Sequence, residues 1–110
     1  MTNVCSVGNL TDEHLRDLGM KACKIRQDII EMLLEAKSGH SAGPLGMADI
    51  FTVLYFTGAI KQDPKNPTWE ERDRIVLSNG HICPVQYAAM ANAGYFPVEE
   101  LLTLRKFGSR

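Results

Sequence analysis

Apolar residues recur at steps of three and four through the first third of the chain, at Leu15, Leu18, Ala22, Ile25, Ile29 and Leu33. That spacing draws one stripe down a helix of 3.6 residues per turn. Thr11 or Asp12 offers an N-cap, and Asp12 and Glu13 place negative charge at the positive helix start. Lys37 supplies a cation near the other end, and Gly39 suits a left-handed cap. The pattern predicts a helix over 12–37. Residues 47–56 are apolar almost all round, the mark of a buried helix. Met47, Ala48 and Leu54 favour helix and Asp49 suits its first turn, although the run from Ile50 to Phe56 also fits a strand.

Downstream the pattern changes. Asp63-Pro64-Lys65-Asn66-Pro67 predicts a loop, because each proline pushes its predecessor out of helical geometry. Ile75-Val76-Leu77 is a short β-branched run between polar residues and predicts a buried strand. A helix is expected over 81–93, with Pro84 tolerated in its first turn and Gly94 closing it. Pro97 then opens another helix, with Glu99 and Glu100 in its first turn and Gly108 near its end. Residues 1–10 lack periodicity and are expected to form a flexible lead-in.

A length of 110 residues suits one domain. With a formal net charge of -1 and no basic run, nucleic acid is not an expected partner. No basic-then-apolar leader opens the chain. Residues 75–98 contain no Asp, Glu, Lys or Arg, yet Ser78, Asn79, His81, Pro84, Gln86 and Asn92 interrupt them, which excludes a membrane span. Such a segment fits burial around a site or subunit interface, and equally an ordinary buried strand and helix. The three cysteines, Cys5, Cys23 and Cys83, form no Cys-x-x-Cys pair, so neither a disulfide framework nor a zinc site is expected. Cys23 is expected as a buried free thiol, and the compartment as reducing and cytoplasmic.

Candidate chemistry concentrates in two loops, Ser38-Gly39-His40-Ser41-Ala42-Gly43-Pro44-Leu45-Gly46 and Ser78-Asn79-Gly80-His81. Each sets a histidine beside glycine, where backbone can approach a ligand closely. A strand running through Ser78-Asn79-Gly80 into a helix near His81 would aim unpaired N–H groups and a positive dipole at an anion such as phosphate. A plain strand-to-helix turn, with His81 capping its own backbone, explains the same residues. His40 suits proton transfer or hydrogen bonding to hydroxyls, and a helix C-cap followed by a turn accounts for Gly39 without it. His14, His40 and His81 lack metal-ligand spacing, so no metal site is expected. From spacing alone the reading is an anion site with two histidines.

The order of these motifs is distinctive. Lys37-Ser38-Gly39-His40 followed by Gly43-Pro44-Leu45-Gly46-Met47-Ala48-Asp49-Ile50 resembles the first motif of transketolases. Asp63-Pro64-Lys65-Asn66-Pro67-Thr68-Trp69 with Arg72-Asp73-Arg74-Ile75-Val76-Leu77-Ser78-Asn79-Gly80-His81 resembles the second. Gly94-Tyr95-Phe96-Pro97 and Glu99-Glu100-Leu101-Leu102 with Leu104-Arg105-Lys106-Phe107-Gly108-Ser109-Arg110 continue the match, so the resemblance spans residues 11–110. It is closest to the separate N-terminal subunits of split transketolases.

This resemblance implies a mostly helical, N-terminal portion of a thiamine diphosphate-binding α/β domain, incomplete within this chain. It implies transfer of a two-carbon ketol unit from a ketose phosphate to an aldose phosphate, as in the pentose phosphate pathway, with the cofactor as electron sink. By the same resemblance His40 would be catalytic, beside the substrate, and His81 would bind the cofactor near its diphosphate. The Mg2+ ligands, a further histidine and the activating glutamate are expected outside this chain. Sugar phosphates and a C-terminal part or subunit are the expected partners, in a homodimer or heterotetramer. Alone, the chain is expected to bind cofactor poorly and to lack turnover. Related thiamine enzymes (a deoxyxylulose-phosphate or dihydroxyacetone synthase) and a non-catalytic helical binding module are the alternatives.

Overall fold

A computed structural model describes residues 10–110. The expected lead-in over 1–10 lies outside these residues except for Leu10, which is exposed and irregular. The first element is α1 (Asp12–Ala36), within a residue of the predicted span. Thr11 is its N-cap: the threonine hydroxyl accepts from the His14 amide at 3.1 Å, and His14 Nδ1 accepts from the Thr11 amide at 3.4 Å. The third histidine is therefore spent on a reciprocal cap. At the far end the left-handed cap falls on Lys37 (φ 56°), two residues before the predicted Gly39.

The buried stripe of α1 comprises Ala22, Ile25, Asp28, Ile29 and Met32. Leu15 is 53% exposed, so the first two turns project past the core. Cys23, expected to be buried, is exposed because it lies one position beyond the stripe residue Ala22 and faces outward. A short helix, α2 (Ala42–Gly46), follows where sequence predicted only a loop. Then comes α3 (Ala48–Phe56), a helix as predicted over the strand alternative, but buried on one face only, with Ile50 and Val53 exposed. Phe51, Thr52 and Tyr55 are buried, and the Thr52 hydroxyl donates to the Ala48 carbonyl at 2.7 Å, which satisfies it inside the core.

The linker after α3 is held by side chains. Asp73 Oδ2 accepts from the Lys61 amide at 2.7 Å, and the Asp73 amide donates to the Lys61 carbonyl at 2.8 Å. Gln62 Nε2 donates to the Tyr55 carbonyl at 2.7 Å, and the Tyr95 hydroxyl donates to Gln62 Oε1 at 2.8 Å. The turn at 63–67 forms as expected, with the Lys65 amide donating to Asp63 Oδ1 at 3.0 Å. Residues 73–77 have no regular secondary structure and no strand forms among the described residues, which corrects the prediction for Ile75-Val76-Leu77. A ladder needs a partner strand alongside, and none accompanies this segment among the described residues. Ile75 and Leu77 are half-buried against the core while Val76 is 86% exposed.

A 3-10 turn (Gly80–Ile82) leads into α4 (Cys83–Ala93), closed by Gly94 at φ 104°. Ala88, Ala89 and Ala91 are buried, and their small size lets α4 lie close to α1 and α3. The predicted last helix is a 3-10 helix of six residues (Val98–Thr103), anchored by the buried Leu101. Ile25, Ile29, Met32, Phe51, Tyr55 and Val85 make the centre of the core. Each such side chain contributes roughly 1.5–3 kcal/mol of burial. Asp28 crosses this apolar interface because Asn92 Nδ2 donates to its Oδ2 at 2.7 Å and Lys24 pairs with its Oδ1. No helix among the described residues is long and apolar enough to cross a membrane.

Candidate functional site

The two histidine loops meet at one end of the helical layer. His40 follows the C-terminus of α1 and His81 sits in the turn that starts α4, yet their ring centroids are 5.2 Å apart. The rings make an edge-to-face contact at an interplanar angle of 63°. Both side chains are exposed, so their nitrogens are open to a ligand. Residues 41 positions apart in sequence thus form one polar pair.

Gly43 accounts for the close meeting of the loops. A Cβ built at Gly43 would stand 2.7 Å from Cγ2 of Ile82, the buried neighbour of His81. Only glycine lets α2 approach the 3-10 turn this closely. Gly39, at φ 116°, turns the chain directly before His40, and a Cβ there would meet Leu33 Cδ2 at 2.7 Å. Pro44, buried within α2, stiffens the same segment.

The start of α4 differs in detail from the expected anion cradle. The Ile82 amide bonds back to the Asn79 carbonyl at 3.1 Å, the Cys83 amide bonds to Gly80, and Pro84 has no N–H. The 3-10 turn therefore consumes donors that a bare helix start would present. Neither Asn79 nor Ile82 provides a side-chain cap, and no acidic residue lies in the first turn of the 3-10 segment or of α4. The positive end of α4 is thus not neutralised by a local carboxylate. A Cβ on Gly80 would meet nothing within 4 Å, which leaves its backbone face open beside His81.

Sequence reasoning placed His40 and His81 in candidate roles, and the fold brings the two together. It did not identify Arg105. This side chain reaches back from the C-terminal segment, and its Nη1 donates to the Ser38 carbonyl at 3.1 Å and to Ser38 Oγ at 3.2 Å. No local pattern signals a contact over 67 positions. A cavity of about 560 Å³ lies on another face, lined by Cys83, Tyr87, Met90, Phe96, Leu101 and Arg105 among others, and neither site histidine borders it. The contact with Cys83, and after it burial, pushes the pKa of the Tyr87 hydroxyl above its ordinary value.

Residues 20–110 match the family model described as transketolase, thiamine diphosphate binding domain. The chain belongs to that family. A 6-deoxy-6-sulfo-D-fructose transketolase subunit of Clostridium sp. (strain MSTE9) is 45% identical over 93 residues, 84% of this chain and 34% of the relative. Transketolase 1 of Escherichia coli (strain K12) is 44% identical over 87 residues, 78% of this chain and 13% of the enzyme. The chloroplastic transketolase of Spinacia oleracea is 46% identical over 88 residues, 78% of this chain and 12% of the enzyme. The chain therefore spans 12 to 34% of the length of these relatives.

Two features fit contact with the diphosphate end of the family's cofactor: paired imidazoles open to ligand, and an unneutralised α4 start with an open Gly80 backbone. A divalent cation is another matter. Among the described residues no three His, Cys, Asp or Glu side chains gather into a donor set.

Proposed function

We propose that this chain is the N-terminal part of a transketolase, contributing one wall of an active site completed by further transketolase domains or a second subunit. The reaction is transfer of a two-carbon ketol unit between sugar phosphates in the pentose phosphate pathway. When bound, thiamine diphosphate supplies the electron sink. The chain's own residues bind and move protons. His81, at the positive end of α4, donates an imidazole N–H to the cofactor near its diphosphate. His40, on the opposite loop, faces the sugar and holds or moves a proton at its ring nitrogen.

The contact between the two imidazoles supports this reading, because His40 and His81 share one small site, as a substrate-side and a cofactor-side histidine would. The helical layer then forms the first portion of an α/β domain, whose sheet comes from the rest of that domain. A relative named as a transketolase subunit supports assembly from two chains, as a heterotetramer or, in a fused form, a homodimer. Mg2+ is held by residues outside this chain, and the setting is cytoplasmic. The test compares His40→Ala and His81→Ala in the complete enzyme. His40→Ala is expected to lower turnover with little change in cofactor affinity, and His81→Ala to raise the thiamine diphosphate dissociation constant by calorimetry. Normal turnover in His40→Ala together with an unchanged constant in His81→Ala would sink the proposal.

A further inference from the structure

The loop that carries His40 has an exposed backbone and begins where α1 has already ended. Something must hold it, since a solvated loop of this kind otherwise samples many conformations. Two cationic residues from the C-terminal segment reach this end of α1, one on the loop and one on the helix. Arg105 Nη1 donates to the Ser38 carbonyl and hydroxyl at 3.1 and 3.2 Å. Its neighbour Lys106 donates from Nζ to Glu35 Oε1 at 2.8 Å, on the last turn of α1. Helix α1 has no basic residue in that last turn, so both cations reach its negative end from elsewhere in the chain.

Arg105 does more than supply charge. Its guanidinium lies against Gly39: a Cβ built there would stand 3.0 Å from Nη1 and 3.3 Å from Nη2. It thus grips Ser38 by hydrogen bonds and covers Gly39, the two residues immediately before His40. Its own backbone is in the left-handed region at φ 60°, a conformation a non-glycine residue holds only when its surroundings determine it. Those surroundings are the buried Leu101 anchor and the turn in which the Lys106 amide donates to the Thr103 carbonyl at 2.9 Å.

We propose that Arg105 is a positioning residue for His40, fixing the Ser38–Gly39 backbone so that the His40 ring meets His81. Lys106, by contrast, holds α1 and does not set the loop. The structural part of this inference stands without any catalytic role; its kinetic consequence rests on the proposed function of His40.

The test uses Arg105→Met, which keeps the aliphatic stem and removes the donors, with Lys106→Met as the control. Both side chains are exposed, and thermal unfolding checks that each variant folds. In the labelled full chain, cross-relaxation between the His40 and His81 ring protons reports the contact by NMR. Arg105→Met is expected to raise the open-to-closed ratio of the loop about two- to fivefold, in line with losing an exposed charge-assisted hydrogen bond. The ring contact then weakens, while Lys106→Met retains it. A contact retained in Arg105→Met, or lost equally in both variants, overturns the inference. In the complete enzyme Arg105→Met should lower turnover with an unchanged dissociation constant for thiamine diphosphate. Loss of the ring contact with unchanged turnover would support Arg105's positioning role and count against the catalytic role of His40.

Discussion

Replacing Gly43 with alanine should break the junction between the two histidine loops. The new methyl would sit 2.7 Å from Ile82 Cγ2, well inside van der Waals contact. Ile82 cannot swing away easily, since it is 2% exposed and β-branched, with few rotamers open to it. Overpacking of this kind costs roughly 1–3 kcal/mol. Alanine recovers up to about 1 kcal/mol over glycine within a helix, so the net loss is about 1–2 kcal/mol. Urea unfolding of the chain, followed by circular dichroism, should show the midpoint falling by about 1 M for a slope of 1–3 kcal/mol per M.

Two companion variants make the reasoning specific. Gly46→Ala lies in the same short helix, where a Cβ would meet nothing within 4 Å, and it should be neutral or stabilising by up to about 1 kcal/mol. Ile82→Leu moves the branch away from Cβ, removing the Cγ2 methyl at nearly constant volume. Combined with Gly43→Ala it should recover much of the loss, a coupling that a double-mutant cycle reads directly. If Gly43→Ala is as stable as Gly46→Ala, or if Ile82→Leu gives no coupling, the close approach does not organise this junction.

Other outcomes follow from the core and the loops. Asp28→Ala should cost about 1–2 kcal/mol in unfolding free energy, since it removes one of the two acceptors of the half-buried Asn92 amide, whereas Lys24→Met, whose side chain is half exposed, should cost under about 1 kcal/mol. Gly39→Ala should lower stability by at least about 1 kcal/mol, because its φ of 116° and the nearby Leu33 both reject a side chain; an unchanged thermal midpoint would contradict this. Burial pushes the Tyr55 hydroxyl above its ordinary value, against a smaller opposing effect of the Gln86 hydrogen bond. The folded state therefore keeps its proton where the unfolded state releases it, so this contribution is full below about pH 10 and is lost as pH rises further. Tyr55→Phe should flatten that alkaline decline, and an equally steep decline in the variant would assign it to other groups.

What could be read in advance divides along physical lines. Helix α1 announces itself because its period and its acidic first turn are local properties, and α4 because Pro84 and Gly94 bracket it. The role of His14 in the cap was hidden, since capping boxes usually carry Glu or Gln at that position. The strand at 75–77 was misjudged because β-branched composition reports fitness for a sheet, while a ladder depends on a second segment. Asp28 stands three after Ile25 and four before Met32, a position on the buried stripe that signals the need for a polar partner. The partner, Asn92, lies 64 positions away and has no local signature.

The same division explains why the site was only half legible. Each histidine could be flagged by its glycine-rich neighbourhood, but their meeting depends on contacts between distant segments. Gly43 against Ile82 sets how closely α2 approaches the α4 start, and Arg105 against Ser38 sets how the His40 loop leaves α1. These contacts also separate charge across the site. Arg105 and Lys106 gather at the negative end of α1, while the positive end of α4 has no carboxylate in its first turn. Cations thus satisfy the His40 side from within the chain, and the His81 side remains the place where an anionic ligand gains most from the helix field. An asymmetric pair of this kind suits one histidine facing a diphosphate and the other facing the hydroxyl groups of a sugar, which is the division of labour proposed for His81 and His40.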